Sequence, residues 1–375
     1  MSTRKNIDHW MRTLLPKAGG CAQKGAARLL RSLLLGFTTD LTQLARQADG
    51  EAGGKEQPAE GKEDAKKKAE TKARRQFFHR WLKRTHWEPK EIYAHLNREA
   101  RRALGRGKRV ALLMDFTDLG TKWTVLQVSI PFAGRALPLY RAVVSYTAPE
   151  EGRRELVRAA LAFLREHLPG EFSRYVLVAD RGFPGHWLVR ELTQKGWAFA
   201  LRVAQSGKLT HPEYLGTLAE AREVPGWVGP TPRLFVKATL GRRGKGADEW
   251  SEANVVLYAG AGQKDPWFLV TSLACGRAVV AMYRERMKIE CEFRDLKGPW
   301  GLDLLARWQD RARVARFLAM VAIYEWRLAH LWLVHQLRQW GAGLVKHGRL
   351  SWIRITREWI LSRIRLAARP ALASL

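Results

Sequence analysis

The sequence has little cysteine and little acid. Three cysteines, Cys21, Cys275 and Cys291, stand far apart in 375 residues, and none forms a C-x-x-C pair. That excludes a disulfide-built scaffold and the usual zinc spacing, and it suits a reducing, cytoplasmic compartment. Long uncharged apolar runs are missing as well. The most apolar stretch, ARFLAMVAIYEWRLAHLWLVHQL, contains Glu325, Arg327 and His330, so it reads as a buried helix and not as a membrane span. RLLRSLLLGF, near the N-terminus, is short, carries Arg31 inside and lacks a cleavage pattern, so no secretory signal is expected. No internal repeat is present.

What is abundant is positive charge. There are 65 Lys and Arg against 36 Asp and Glu, a formal net charge of +29 and an isoelectric point of 10.6. Apolar residues make up 46% of the chain, enough for a folded core and too many for a basic disordered tail. A folded chain this cationic repels itself unless a polyanion neutralises it. Nucleic acid is therefore the expected partner. Ribosomal proteins are usually shorter. Proteins that bind anionic membrane surfaces usually concentrate their charge on one amphipathic helix, whereas here Lys and Arg run the whole length.

The order of elements follows from periodicity. Residues 1–72 read as a helical region running into a charged stretch, ADGEAGGKEQPAEGKEDAKKKAETK, that is a solvated linker or an exposed helix. RRQFFHRWLKRTHW is a basic helix whose aromatic residues serve either a core stripe or a DNA contact. From 73 to 203 the pattern changes. KRVALLMDFTD is a buried strand with Asp115 at its C-terminal edge, TKWTVLQVSIPF and RALPLYRAVVSY complete a meander, and PEEGRRELVRAALAFLREHLPG is a helix with acids early and bases late. RYVLVADRGFPG is a strand ending at Asp180, followed by a helix and the strand WAFALRVA. Residues 204–275, richer in Gly and Pro, form a β-rich insertion. A helix over 276–302 and a Trp- and Arg-rich helical region over 303–375 follow.

The segment AMYRERMKIECEFRDLKGPW spaces Tyr283, Arg286, Glu290 and Lys297 as Y-x2-R-x3-E-x6-K. Read as one helix at about 100° per residue, the four share a face within roughly 60°. A phenol, a guanidinium, a carboxylate and an ammonium on one face suit the holding of a phosphate beside a metal ion.

Three strands, helix, strand, helix, strand and a late helix, with a carboxylate at the end of the first strand, another at the end of the fourth and a third on the late helix, is the layout of an RNase H-like nucleotidyl-transfer core. Two strand-end carboxylates on neighbouring strands can share a divalent ion, and a third from a packed helix completes a second site. Oxygen ligands select Mg²⁺ or Mn²⁺.

These passages together resemble the DDE transposases of the IS4 family, the Tn5-like enzymes. MDFTD supplies Asp115 as the first acid, VADRGF supplies Asp180 as the second, and the family signature places Glu290 as the third, with Tyr283, Arg286 and Lys297 as the residues that hold DNA phosphates. The resemblance implies that Asp115, Asp180 and Glu290 bind two metal ions. It also maps Trp267, in PWFLVTS, onto a tryptophan that stacks on a flipped base. By the same resemblance the enzyme acts as a homodimer on two double-stranded DNA ends, cuts at transposon ends through a hairpin and joins the freed 3′-OH to target DNA. The acids lie 65 and 110 residues apart in order, and the longer interval suits the insertion. The expected fold is thus an RNase H-like core, a mixed five-stranded sheet flanked by helices, with a β-rich insertion and helical N- and C-terminal regions. The likeness covers roughly residues 75–365. Residues 1–72 stand where an end-recognition domain would.

Neighbouring residues compete for these roles. Asp118 follows Asp115 by three, and strand alternation puts it on the other face. Glu292 and Asp295 sit off the face of Tyr283 and read as solvated, or paired with Arg294 and Lys288. Arg181 either touches phosphate or pairs with an acid. GRRGKG, 241–246, lacks the full P-loop spacing and reads as a hairpin turn. Two other functions remain open at this level: a nuclease with the same core that cuts without joining, and a non-catalytic DNA-binding descendant.

Overall fold

The computed structural model describes residues 3–36, 38, 40–47, 61–84, 87–104, 109–168, 172–183, 185–242, 249–260, 263, 265–298 and 300–339. Five helices come first: α1 (Thr3–Leu14), α2 (Gly20–Gly36), α3 (Leu41–Gln47), α4 (Gly61–Arg84) and α5 (Pro89–Ala103). The meander β1 (Val110–Leu119), β2 (Trp123–Phe132) and β3 (Arg135–Ser145) leads to α6 (Glu150–His167), β4 (Tyr175–Ala179), α7 (Gly185–Gln194) and β5 (Ala198–Arg202). Next are β6 (Lys208–His211), β7 (Tyr214–Thr217), α8 (Leu218–Glu223), β8 (Arg233–Arg242), β9 (Glu249–Tyr258) and β10 (Trp267–Thr271). The described chain closes with α9 (Gly276–Arg284), α10 (Met287–Lys297), a 3-10 turn at Leu302–Arg307 and α11 (Arg311–Gln339).

The strands make one mixed sheet in the order β3-β2-β1-β4-β5-β10-β9-β8-β6-β7. Its first five strands are the expected five-stranded RNase H-like core. β1, β4 and β5 run parallel, β2 pairs antiparallel with β1, and β3, antiparallel to β2, runs in the direction of β1 again. The insertion does not form a separate layer. Its strands extend the same sheet through β10, which pairs antiparallel with β5, to a total of ten. β4 is buried along its whole length, as expected of a parallel strand covered on both faces.

Side chains alternate between the two faces of a strand. Asp115 meets Arg286, at the junction of α9 and α10, while the ring of Phe116 stacks on Phe183, just before α7. The α9–α10 pair and α7 therefore cover opposite faces of the sheet.

The N-terminal helices pack on the core's helical side. In α4 the aromatic stripe is core: Phe78, Trp81 and Leu82 are buried. The Trp81 indole donates to the Ala22 carbonyl at 3.2 Å, and a Cβ on Gly25 would stand 2.3 Å from it, so α2 needs glycine there. Residues 61–72 of the charged stretch begin α4, and 48–60 lie outside the described residues. In α6 the acids Glu150 and Glu151 open the helix and Arg165 and His167 close it, matching the helix dipole. No described helix is long and apolar enough to cross a membrane.

Candidate functional site

The point where β1 and β4 part creates the site. The parallel pairing of β1 with β4 ends at Met114–Ala179, so Asp115 and Asp180 are the next residues on adjacent strands. Asp115 is not at the end of its strand, contrary to the expectation above. β1 continues to Leu119 because β2 still pairs with it there. What ends at Asp115 is the contact with β4.

The third carboxylate arrives from α10. The expected single helix over 276–302 is two. At Glu285 and Arg286 the backbone bonds tighten to i→i−3, with Arg286 N donating to Tyr283 O at 3.0 Å and Ile289 N to Arg286 O at 3.1 Å. Neither Pro nor Gly marks this break. It falls at Arg286, whose guanidinium is gripped by acids from three elements.

That grip is the centre of the site. Arg286 Nη2 lies 3.1 Å from Asp115 Oδ2 and 3.2 Å from Asp180 Oδ2, and Nη1 bonds Glu290 one turn on. Tyr283 Oη donates to Asp180 Oδ1 at 3.1 Å. Trp267 and Tyr283 meet edge to face, with centroids 4.8 Å apart, and the Tyr258 ring lies 5.6 Å from that of Trp267. Six of the seven residues singled out in the sequence are thus brought together. Lys297 is not. It lies two turns beyond Glu290 on the same face of α10, half-buried, and no ion pair joins it to the other six.

Burial sets the electrostatics. It pushes the Asp115 carboxyl up to about 6, against the pull of Arg286 and the Phe116 N–H, with Asp180 and Glu290 adding to the rise. Burial and then Asp180 raise the Tyr283 phenol, which stays protonated and donates. For Arg286 burial works against the charge, but Asp115 and Asp180 outweigh it, and the guanidinium stays cationic.

A match to the transposase DDE domain family spans residues 108–324, more than half of the chain. The chain belongs to that family. No curated protein gives a significant match. The matched segment of this transposase DDE domain runs from residue 108, just ahead of β1, into α11 and holds all seven singled-out residues.

Among the described residues no three acidic, histidine or cysteine side chains stand close enough together to hold a metal ion. Asp115, Asp180 and Glu290 each contact Arg286 instead. As a donor set they fit a hard divalent ion in kind: all three are carboxylates.

Sequence reasoning missed a second layer. Asp115 pairs across the strands with Gln127, and Gln127 with Arg141, so a polar row crosses β1, β2 and β3 beneath α10. Arg141, 4% exposed, binds Glu292 at 2.7 Å and Glu325 of α11 at 2.9 Å. Glu292 is therefore buried and not solvated, and Asp295 binds Arg135 at 2.6 Å. The expected partners Arg294 and Lys288 were wrong because the polar face of α10 turns onto β3, not along its own helix. The signal was present: a lone Arg in LPLYRAVV and a lone Gln in TVLQVSI, each inside an apolar strand. Arg202, at the end of β5, approaches Asp180 at 3.9 Å and was also missed. Asp118, as alternation requires, is exposed and accepts from the Thr124 hydroxyl at 2.6 Å. Residues 243–248 of the GRRGKG region lie outside the described residues, between strands paired antiparallel at Arg242–Glu249.

Proposed function

We propose that the protein is an IS4-type, Tn5-like DNA transposase that cuts at transposon ends and joins the freed strand to target DNA. One observation carries this reading. Carboxylates from within β1, from the residue after β4 and from one helix converge on a single guanidinium, in a chain of net charge +29 that belongs to the transposase DDE domain family.

Asp115, Asp180 and Glu290 are the residues that would hold two Mg²⁺ or Mn²⁺ ions, and those ions supply activation of the attacking oxygen and charge for the leaving one. In the absence of such ions Arg286 neutralises the three acids. Its Nε, buried and without an acceptor among the described residues, is free to take a phosphate oxygen. Tyr283 fixes Asp180 and braces Trp267, which offers its ring to an unpaired base. Lys297 stands further along α10 to hold the DNA backbone. The reaction breaks a P–O3′ bond, water supplying the new oxygen and the 3′ oxygen leaving as a hydroxyl. That hydroxyl then attacks phosphorus in the second strand, displacing the flanking 3′ oxygen as a hydroxyl and closing a hairpin; water reopens the hairpin and restores the 3′-OH, which attacks phosphorus in target DNA and displaces a target 3′ oxygen.

On this reading the active form is a homodimer on two duplex ends, residues 1–72 recognise the end, and the enzyme works in the cytoplasm on nucleoid DNA. The test is a supercoiled plasmid carrying the element's own genomic flanks, incubated with the protein and Mg²⁺ or Mn²⁺. Nicks at the flanks followed by joined molecules support transposition. Breaks without joined products would reduce the function to that of a nuclease. Binding with neither product would leave a DNA-binding protein.

A further inference from the structure

A cavity of about 730 Å³ opens next to the acids, on the face of the sheet away from Arg286. Phe116 and Arg181, each the next residue after a carboxylate, form its near wall. Arg153 and Arg154 of α6 and Trp187 of α7 form its side, and β8 to β10 close the back. The function proposed above does not use it.

We infer that this cavity receives one unpaired nucleotide of the DNA strand that passes the acids, an inference that rests on the transposase reading. Charge is the first argument. The lining holds four arginines, Arg202 being the fourth, and one acid, Glu150, which is occupied by Arg154. Arg181 is exposed and makes no ion pair among the described residues. Arg153 spends a donor on the Tyr146 carbonyl at 3.2 Å and keeps its charge uncompensated. Arg181 and Arg153 are thus phosphate-seeking groups without a carboxylate partner among the described residues.

Shape is the second argument. The Phe116 and Phe183 rings are stacked, centroids 4.9 Å apart and 20° from parallel, with Phe183 buried beneath Phe116. The half-buried Phe116 caps a rigid two-ring platform. Arg154 and Arg158 each lie 5.5 Å from the centre of the Trp187 ring, a cation–π contact on the side wall. An aromatic floor under an arginine rim is the combination that binds unpaired bases without reading their sequence. The volume suits a ligand of one or two nucleotides and not a duplex.

Position is the third argument. Asp115 and Phe116 point to opposite faces of β1, so a phosphate at the acids and a base on Phe116 belong to neighbouring nucleotides of one strand. That strand wraps the sheet edge where β1 and β4 part. Trp267 lies on the α9 side, so the cavity is a second base site on the other side of the cut.

The test uses the full chain with Glu290→Gln, so that nothing is cut. The probe is a flank duplex with one unpaired 2-aminopurine, beside the fully paired duplex. The wild-type cavity should quench the 2-aminopurine and favour the unpaired probe. Arg181→Ala with Arg153→Gln should reduce binding of the unpaired probe about tenfold more than that of the paired one. Ser206→Trp, at the exposed rim, should fill the cavity and abolish the quenching with the melting temperature unchanged. Equal losses on both probes, or quenching that survives Ser206→Trp, would overturn the cavity while leaving the transposase reading intact. A protein that binds neither probe would overturn both.

Discussion

Arg286 Nη2 lies 3.1 Å from Asp115 Oδ2, across 171 residues of sequence, and the same guanidinium also holds Asp180 and Glu290. One cation thus balances three carboxylates. Removing it leaves them to repel one another in a half-buried pocket. Arg286→Gln should cost about 3 kcal/mol in metal-free buffer, and millimolar Mg²⁺ should recover much of that by binding the folded state. Thermal melts in EDTA and in Mg²⁺ check this. A variant with no greater dependence on Mg²⁺ than wild type would show that Arg286 does not stand in for a cation.

The Asp115 carboxyl, raised by burial to about 6, titrates above its unfolded value near 4. A raised acid binds more protons folded than unfolded, so its contribution to stability falls as pH rises from about 4 to about 6. The full cost, about 3 kcal/mol at most, stands above pH 6. Asp115→Asn removes it. In metal-free buffer the variant should melt a few degrees above wild type at pH 7.5 and level with it at pH 4, while losing cleavage. Parallel melting curves at both pH values would contradict this.

Tyr283 joins Asp180 to Trp267. Tyr283→Phe keeps the ring contact and deletes a hydrogen bond to a charged acceptor. Its melting temperature should stay within a few degrees of wild type, and the cleavage rate at saturating DNA should fall about tenfold to a hundredfold. An unchanged rate would mean that Asp180 needs no positioning by the phenol.

Beneath α10, Glu292 and Glu325 share the single cation of Arg141. Burial and then Glu325 push Glu292 well above the ordinary carboxylate range. Glu292→Gln replaces the carboxyl whose charged form burial disfavours and should cost about 1 kcal/mol or less. Arg141→Met leaves the acids buried without a cation and should cost about 3–5 kcal/mol. Urea unfolding of both variants gives the comparison, and equal costs would contradict the burial of Glu292 favouring its neutral form.

DNA affinity should fall steeply with salt, the logarithm of the binding constant dropping by about 0.9 for each phosphate contact per decade of salt. Anisotropy titrations between low and physiological salt measure the slope. A flat response would remove the excess of Lys and Arg from the binding account.

The legible parts were those written in local pattern. Each core strand from β1 to β5 and the acids Asp115, Asp180 and Glu290 were readable because strand period and fixed spacing survive in one dimension. The extension of the sheet by β6 to β10 was not, since pairing between β5 and β10 joins segments about 70 residues apart and leaves no mark in either. The break at Arg286 was illegible for a similar reason. No helix-breaking residue causes it, only carboxylates from β1, β4 and α10 that meet in space. The burial of Glu292 was hidden by treating helical angle as exposure. Arg141, a charge inside an apolar strand, was the clue to its partner.

The central claim is that Asp115, Asp180 and Glu290 act as one metal-dependent unit. It is tested most directly by making Asp115→Asn, Asp180→Asn and Glu290→Gln separately and measuring, on one flank duplex, DNA affinity and single-turnover cleavage with Mg²⁺. The account predicts affinities within about threefold of wild type and cleavage lower by about a thousandfold or more in every variant. Any one of the three cutting at close to the wild-type rate would remove that acid from the site and contradict the account.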